Sequence, residues 1–201
     1  MLRLHDYLPS GNGYKARLLL TQLGIPFQRI EYDILQGETR TPAFLKMNRN
    51  GRIPVLEMED GTFLAESNAI IHHLAEGTPF LPSEPFPRAL VMQWMFFEQY
   101  SHEPNIATVR HWLIHLEMND VQRAVLPQKQ EAGHAALQVM EEHLRERAFF
   151  VGERYSIADI ALYAYTHVAH EGDFDLGSYH AVGAWLERVR GQPSYIPITQ
   201  G

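Results

Sequence analysis

An α/β unit followed by an all-α unit is the fold class the sequence predicts, and three observations carry it. Short apolar runs bounded by turn residues alternate with helix-period segments as far as Ala75. A stretch crowded with Pro79, Pro82, Pro85 and Pro87 then interrupts every pattern. Beyond it only the helical period survives. With 201 residues, 45% of them hydrophobic, the chain is long enough to build two small cores.

Leu2 to Leu8 is an apolar-rich run halted by Pro9 and reads as a strand, and Ser10-Gly11-Asn12-Gly13 is dense in turn formers and reads as a loop. From Tyr14 to Leu23 apolar residues recur at helical spacing (Ala16, Leu19, Leu20, Leu23), and Gly24 with Pro26 closes that helix. Phe27 to Ile34 suits a second strand, and the long crossover favours parallel pairing with the first. Thr41 to Met47 reads as a short helix capped by Thr41 with Pro42 in its first position. Val55 to Met58 and Thr62 to Leu64 flank Asp60-Gly61 as a hairpin, and Glu66 to Ala75 is amphipathic. The expected order is βαβαββα over residues 1–77, a linker over 78–87, and a helical domain over 88–201. Its helices fall near Arg88–Leu116, Val121–Arg147, Ile157–Ala169 and Tyr179–Arg190, with Pro104 predicting a kink or break in the first.

Composition excludes several function classes. Seventeen basic residues against 24 acidic ones give a net charge of −7 with no run of like charge, which argues against a nucleic-acid partner. The absence of cysteine excludes a disulfide framework, a cysteine-rich zinc site and catalysis by the chain's own thiol, so any sulfur chemistry must use a borrowed one. The first residues lack the apolar core and cleavage site of a secretory leader, and no segment approaches the ~20 apolar residues that span a bilayer, so a cytoplasmic protein without a membrane partner is expected. His111 and His115 are four apart, and His167 and His170 three apart, but Trp112 stands where the zinc motif HExxH has glutamate, and no metal is expected.

Two segments carry chemistry. Asn48-Arg49-Asn50-Gly51-Arg52-Ile53-Pro54-Val55-Leu56 places a turn before an Ile-Pro step that opens a strand, and Ala65-Glu66-Ser67-Asn68 opens a helix. A helix N-terminus suits a carboxylate ligand, although Ser67 is equally suited to capping the helix. In this order the segments resemble the glutathione site of cytosolic glutathione transferases, where N-P-x-G-x-[IV]-P-x-L precedes a Glu-Ser pair. Asn12-Gly13-Tyr14-Lys15 is similar to the N-G-[YFW]-K of bacterial and fungal members, and Arg154 to Ala161 resembles the family's capping motif, with Ser156 and Asp159 in structural roles.

The resemblance implies a thioredoxin-like first domain, a helical second domain, a homodimer, and glutathione as co-substrate without a metal. It implies a cis bond before Pro54 that exposes the Ile53 N–H and C=O to the tripeptide. Glu66 and Ser67 then hold the γ-glutamyl end, and Arg40 or Arg52 the glycine carboxylate. Ser10 and Asn12 are the candidate thiol activators, with Tyr7 third. A small hydrophobic electrophile would meet aromatic side chains drawn from Phe96, Phe97, Tyr100, His111, Trp112 and Tyr163.

A thiol of pKa about 8.5 needs about 2.7 kcal/mol of differential stabilisation to fall by two units. A hydrogen bond to a charged acceptor contributes roughly 1.5–3 kcal/mol, so one or two donors suffice and no general base is required. The expected reaction is attack of the glutathione thiolate on an electrophile, by addition or substitution. Two other functions fit the same residues: glutathione-dependent disulfide or peroxide reduction, and a family module that has lost catalysis and serves as a regulatory or scaffolding partner.

Overall fold

A computed structural model describes residues 1–201, which divide into two compact units, one of residues 1–78 with 193–201 and one of residues 79–192. In the first, strands β1 (Leu2–Asp6), β2 (Phe27–Glu31), β3 (Val55–Glu57) and β4 (Phe63–Ala65) form a sheet in the order β2-β1-β3-β4. β1 is parallel to β2 and antiparallel to β3, and β3 and β4 form the hairpin expected at Asp60-Gly61. Helices α1 (Gly11–Gln22), α2 (Pro42–Met47) and α3 (Ser67–Ala75) complete the βαβαββα order.

Alternation along β1 divides the sheet into two faces. Leu2 and Leu4 join Ala16, Leu20, Leu56 and Ile70 in the core beneath α1 and α3. Arg3 and His5 take the other face, where His5 Nε2 lies 2.9 Å from Glu57 Oε2 and Nδ1 lies 3.2 Å from the Tyr32 hydroxyl. Asp6 returns to the α1 side, and its Oδ2 lies 2.8 Å from Arg17 Nε, both side chains being fully buried.

Register decides what meets at one end of the sheet. Asp6 pairs with Glu31, His5 with Val55, and Val55 with Ala65. The loop after β1, the residues after β2, the turn before β3 and the start of α3 therefore all leave the sheet at that end. Ser10, Arg40, Arg52, Ile53, Pro54, Glu66 and Ser67 all lie on these connections, and Asn12 lies in the first turn of α1, which follows the first of them.

Several boundaries differ from expectation: β1 and β2 stop early, at Asp6 and Glu31 instead of Leu8 and Ile34. Helix α1 begins at Gly11, because Ser10 is a true N-cap whose Oγ accepts the Gly13 N–H at 3.3 Å. The run of glycines hid this first turn from the pattern. Residues 193–201 belong with the first unit and not with the helices: the Tyr14 hydroxyl donates to Ile196 O at 2.7 Å and Arg17 Nη1 to Ile198 O at 2.9 Å. Helix α4 (Pro85–Phe97) starts inside the expected linker, since Pro85 occupies its first position, where no N–H is needed.

The second unit contains α4, α5 (Glu103–His115), α6 (Asp120–Leu144), α7 (Ile157–Thr166) and α8 (His180–Arg190). The break expected near Pro104 is a π-helical turn over Glu98–His102, which leaves Pro104 in the first turn of α5. Helix α6 runs through Pro127. At the start of α7 the fully buried Asp159 carboxylate accepts four hydrogen bonds: from Ser156 N (2.9 Å), Ser156 Oγ (3.1 Å), Phe150 N (3.1 Å) and Trp185 Nε1 (3.0 Å). No helix is long and apolar enough to cross a membrane.

Candidate functional site

The site is built from two helix N-termini. At the first, the Ser10 N–H donates to Tyr7 O at 2.8 Å, and Ser10 O accepts the Tyr14 N–H at 2.9 Å. The loop from β1 is thereby closed onto α1. With its Oγ accepting from Gly13, the Ser10 hydroxyl keeps its own hydrogen for another acceptor. Gly13 sits directly on Asp6: a Cβ there would overlap the Asp6 carboxylate, so this turn approaches the strand as only glycine allows.

At the second, Glu66 is the N-cap residue of α3, exposed, with φ 70° and ψ 113°. A non-glycine residue held there costs about 1–3 kcal/mol, and such outliers cluster at ligand sites. Ser67 follows as the first residue of the helix. Its hydroxyl does not cap α3; it donates to Asn12 Oδ1 at 3.0 Å. The Asn12 amide oxygen is thus anchored by the Ser67 hydroxyl.

Lys15 completes this group. Its side chain is fully buried, and Nζ donates to Ser67 Oγ and to Asn68 Oδ1, each at 3.4 Å. An ammonium, a hydroxyl and the first N–H groups of α3 converge on one spot, a combination that favours a carboxylate. Sequence reasoning left Lys15 unassigned. Its signal was its place three residues after Asn12, on the same face of the helix.

The third component is the turn before β3. The Ile53-Pro54 peptide is cis. Asn48 shapes the turn, its Nδ2 donating to Arg52 O at 2.8 Å, its Oδ1 accepting the Asn50 N–H at 3.0 Å, and its carbonyl accepting the Gly51 N–H at 2.9 Å. Gly51 has φ 64°, and a Cβ there would stand 2.5 Å from Arg40 Nη1. Arg40 is exposed and donates to Asn50 O at 2.9 Å, which ties it to this turn; Arg52 is exposed at the turn's end. The structure therefore brings together Asn12, Ser67 and Lys15, with Ser10 at the N-cap of the helix that carries Asn12, and separately ties Arg40 to the turn that ends in Arg52-Ile53-Pro54.

In the second unit the aromatic candidates divide. Tyr163 is fully buried and stacks on His167 with ring centroids 4.6 Å apart, so it belongs to the core. Phe96 and Tyr100 are exposed. The His111 and His115 rings lie 5.3 Å apart, and burial pushes both imidazoles down, so they stay neutral at pH 7. No three His, Asp or Glu side chains converge as a metal site would need.

Comparison with known proteins agrees along both units. The family model described as "Glutathione S-transferase, N-terminal domain" matches residues 1–76, and "Glutathione S-transferase, C-terminal domain" matches residues 96–193. A crystal structure of glutathione S-transferase from Pseudomonas fluorescens Pf-5 superposes with a TM-score of 0.96 at 50% identity, over 99% of each chain. The disulfide-bond oxidoreductase YfcG of Escherichia coli K12 is 31% identical over 199 residues, covering 94% of this chain and 90% of that one. Maleylacetoacetate isomerase of Rhizobium meliloti is 32% identical over 181 residues, covering 87% and 84%.

Proposed function

The chain belongs to the glutathione S-transferase family, and we propose that it is a glutathione transferase whose thiol-activating donors are Asn12 and Ser10. The observation that carries this assignment is the Ser67 hydroxyl turned onto Asn12 Oδ1, with Lys15 behind it. The γ-glutamyl carboxylate of glutathione lies against Ser67, Lys15 and the α3 N-terminus, and its ammonium against Glu66. The cysteinyl main chain pairs with Ile53 beside Pro54, and the glycine carboxylate meets Arg40 or Arg52. This leaves the sulfur near the first turn of α1. There the Asn12 Nδ2 hydrogens, the Ser10 hydroxyl and the helix dipole favour thiolate over thiol. The thiol proton passes to solvent water, and the thiolate attacks a small hydrophobic electrophile.

The likeness to a disulfide-bond oxidoreductase favours a second reading of the same site. In it the bound thiolate attacks a disulfide and expels one thiolate, and a second glutathione resolves the mixed disulfide to glutathione disulfide. A cysteine-free chain fits either reading, because both sulfurs come from glutathione. Homodimerisation and a cytoplasmic location belong to the same proposal. Phe86, Phe96 and Tyr100, 65–87% exposed, follow one face of α4 into the π turn as an apolar stripe suited to a subunit contact.

The test is a pH titration of glutathione thiolate absorbance in the ultraviolet with saturating wild type, Ser10→Ala and Asn12→Ala. A lowered thiol pKa that one substitution abolishes identifies the activator. An unperturbed thiol in the wild type refutes the proposal. Turnover of a disulfide faster than an aryl halide selects the reductase, and a clean monomer in sedimentation removes the dimer.

A further inference from the structure

The tail formed by residues 193–201 carries none of the candidate glutathione-binding residues, yet α1 holds it through Tyr14 and a fully buried arginine. Arg17 is fully buried and uses all three of its nitrogens. Nε pairs with Asp6 at 2.8 Å, Nη2 donates to Leu8 O at 2.6 Å, and Nη1 donates to Ile198 O at 2.9 Å and to Gln200 O. One turn earlier, the Tyr14 hydroxyl donates to Ile196 O at 2.7 Å. Alternate carbonyls of the tail, 196, 198 and 200, are thus held by α1.

Helix geometry says what this grip controls. At 100° per residue, Tyr14 and Arg17 lie on one face of α1, and Asn12 and Lys15 lie on nearly the opposite one. The tail holds the back of the helix while Asn12 and Lys15 reach Ser67 at the front. Leu8 and Asp6, the two other partners of Arg17, flank Tyr7, whose carbonyl anchors the Ser10 N–H. One guanidinium therefore links the end of β1, the loop to Ser10, the body of α1 and the tail. The contacts to Leu8, Ile198 and Gln200 are to main-chain carbonyls, so they constrain backbone position and not merely side-chain packing.

We propose that residues 193–201, acting through Arg17 as a positioning residue, fix the first turn of α1 in the geometry that presents Ser10 and Asn12 to the glutathione thiol. The inference rests on the function proposed above. The tail contacts neither the cis-proline turn nor Glu66 in this network, so it governs activation of the thiol more than retention of the tripeptide.

The test compares the wild type with a chain lacking residues 197–201, which removes the Ile198 and Gln200 acceptors, and with R17K, which keeps the charge but loses the fork. Three quantities are read: amide hydrogen exchange at Gly13 and Tyr14, the pKa of the bound glutathione thiol, and kcat against KM for glutathione. In both variants the Gly13 and Tyr14 amides should exchange about tenfold faster or more, with α6 and α7 amides unchanged. The bound thiol pKa should rise by about one unit, lowering kcat about tenfold below that pKa, with KM for glutathione within about twofold. A lowered thermal midpoint with wild-type exchange and thiol titration makes the tail a mere stabiliser and overturns the inference. Should the shortened chain fail to fold, R17K carries the same criteria. A wild type that never lowers the thiol pKa would overturn the activation claim at its foundation, and unchanged exchange would separately overturn the positioning claim.

Discussion

Gly13→Ala separates local propensity from tertiary structure by the sign of its effect. Gly13 lies in the first turn of α1, and glycine to alanine within a helix is worth about 1 kcal/mol of stabilisation. By that argument alone the substitution should raise the midpoint. In the fold, the new methyl would overlap Oδ1 and Cγ of Asp6. Asp6 cannot swing into water, being fully buried, and burial already pushes its carboxyl up to about 6 against the pull of Arg17. Two relaxations are open. Rotating Asp6 off Arg17 breaks a buried pair, at about 3–5 kcal/mol. Lifting the first turn forfeits the Ser10 cap and the Ser67 to Asn12 hydrogen bond, about 1 kcal/mol each, along with the packing beneath them. After the propensity gain, the net loss is about 1–4 kcal/mol, or a midpoint lowered by about 3–12 °C for a chain of this size. Because the cheaper relaxation displaces Asn12, the thiolate titration should also weaken. Calorimetry on both proteins decides the matter: a midpoint equal to or above wild type would refute the close approach of Gly13 to Asp6.

Asp159→Ala strands four donors, each of which costs about 1–3 kcal/mol when buried without a partner, so urea unfolding should show a loss of about 3 kcal/mol or more, with Asp159→Asn in between; a loss no larger than the ~1 kcal/mol of a single cap would contradict the network. Lys15→Met and Ser67→Ala should each weaken glutathione binding by about 1–3 kcal/mol in titration calorimetry, and the double variant should lose less than the sum because the two residues share one hydrogen bond. Additive losses would place them in separate sites. Burial holds the His167 imidazole down at about 4, its Nδ1 donating to Tyr163 O at 2.8 Å. The unfolded chain protonates this group near pH 6.5, so the stability that neutral His167 contributes is present above about 6.5 and is lost as pH falls through about 4, about 3 kcal/mol at most. Buried Asp6 and Asp159, pushed up to about 6, act in the opposite direction over that window, so the sign must be read from wild type minus His167→Gln. A difference that does not shrink on acidification would remove His167 as the cause.

Much of this was legible in the sequence because it rests on local signals. Asp60-Gly61 specifies a hairpin, Ser156 with Asp159 specifies a helix start, and Ile-Pro followed by Glu-Ser has a spacing that survives any packing. Other features depend on residues distant in the chain. Ser10-Gly11-Asn12-Gly13 reads as a loop until Asp6 is seen beneath Gly13, since only the close approach explains why a helix begins with two glycines. Ser67 looks like a cap until Asn12, 55 residues away, proves to be its acceptor. The tail has no periodicity of its own; its place follows from the demand of a buried arginine for carbonyls. Tyr163 illustrates the same limit from the other side, because an aromatic on an amphipathic helix cannot be assigned to core or pocket until its neighbours are known.

Where a fold retains buried charge indicates what it must hold fixed. Replacing a buried ion pair by apolar groups of similar volume is often neutral or stabilising, so stability alone does not account for Asp6, Arg17 and Lys15, all fully buried within the first unit. All three act on α1: Asp6 and Arg17 seat its back and the loop before it, and Lys15 reaches from its front to Ser67 and Asn68. A chain without cysteine cannot tune a nucleophile of its own. Its contribution to a borrowed thiol is limited to donors and dipoles fixed in advance, and these are effective only when they need not reorganise as charge develops. Rigidity of the first turn of α1 is therefore a catalytic requirement under the proposed function, and buried charge that is costly for stability is the means of meeting it. An apolar replacement of the Asp6 and Arg17 pair, even one that raised the melting midpoint, should therefore lower thiolate formation, because it would free the turn that the pair holds.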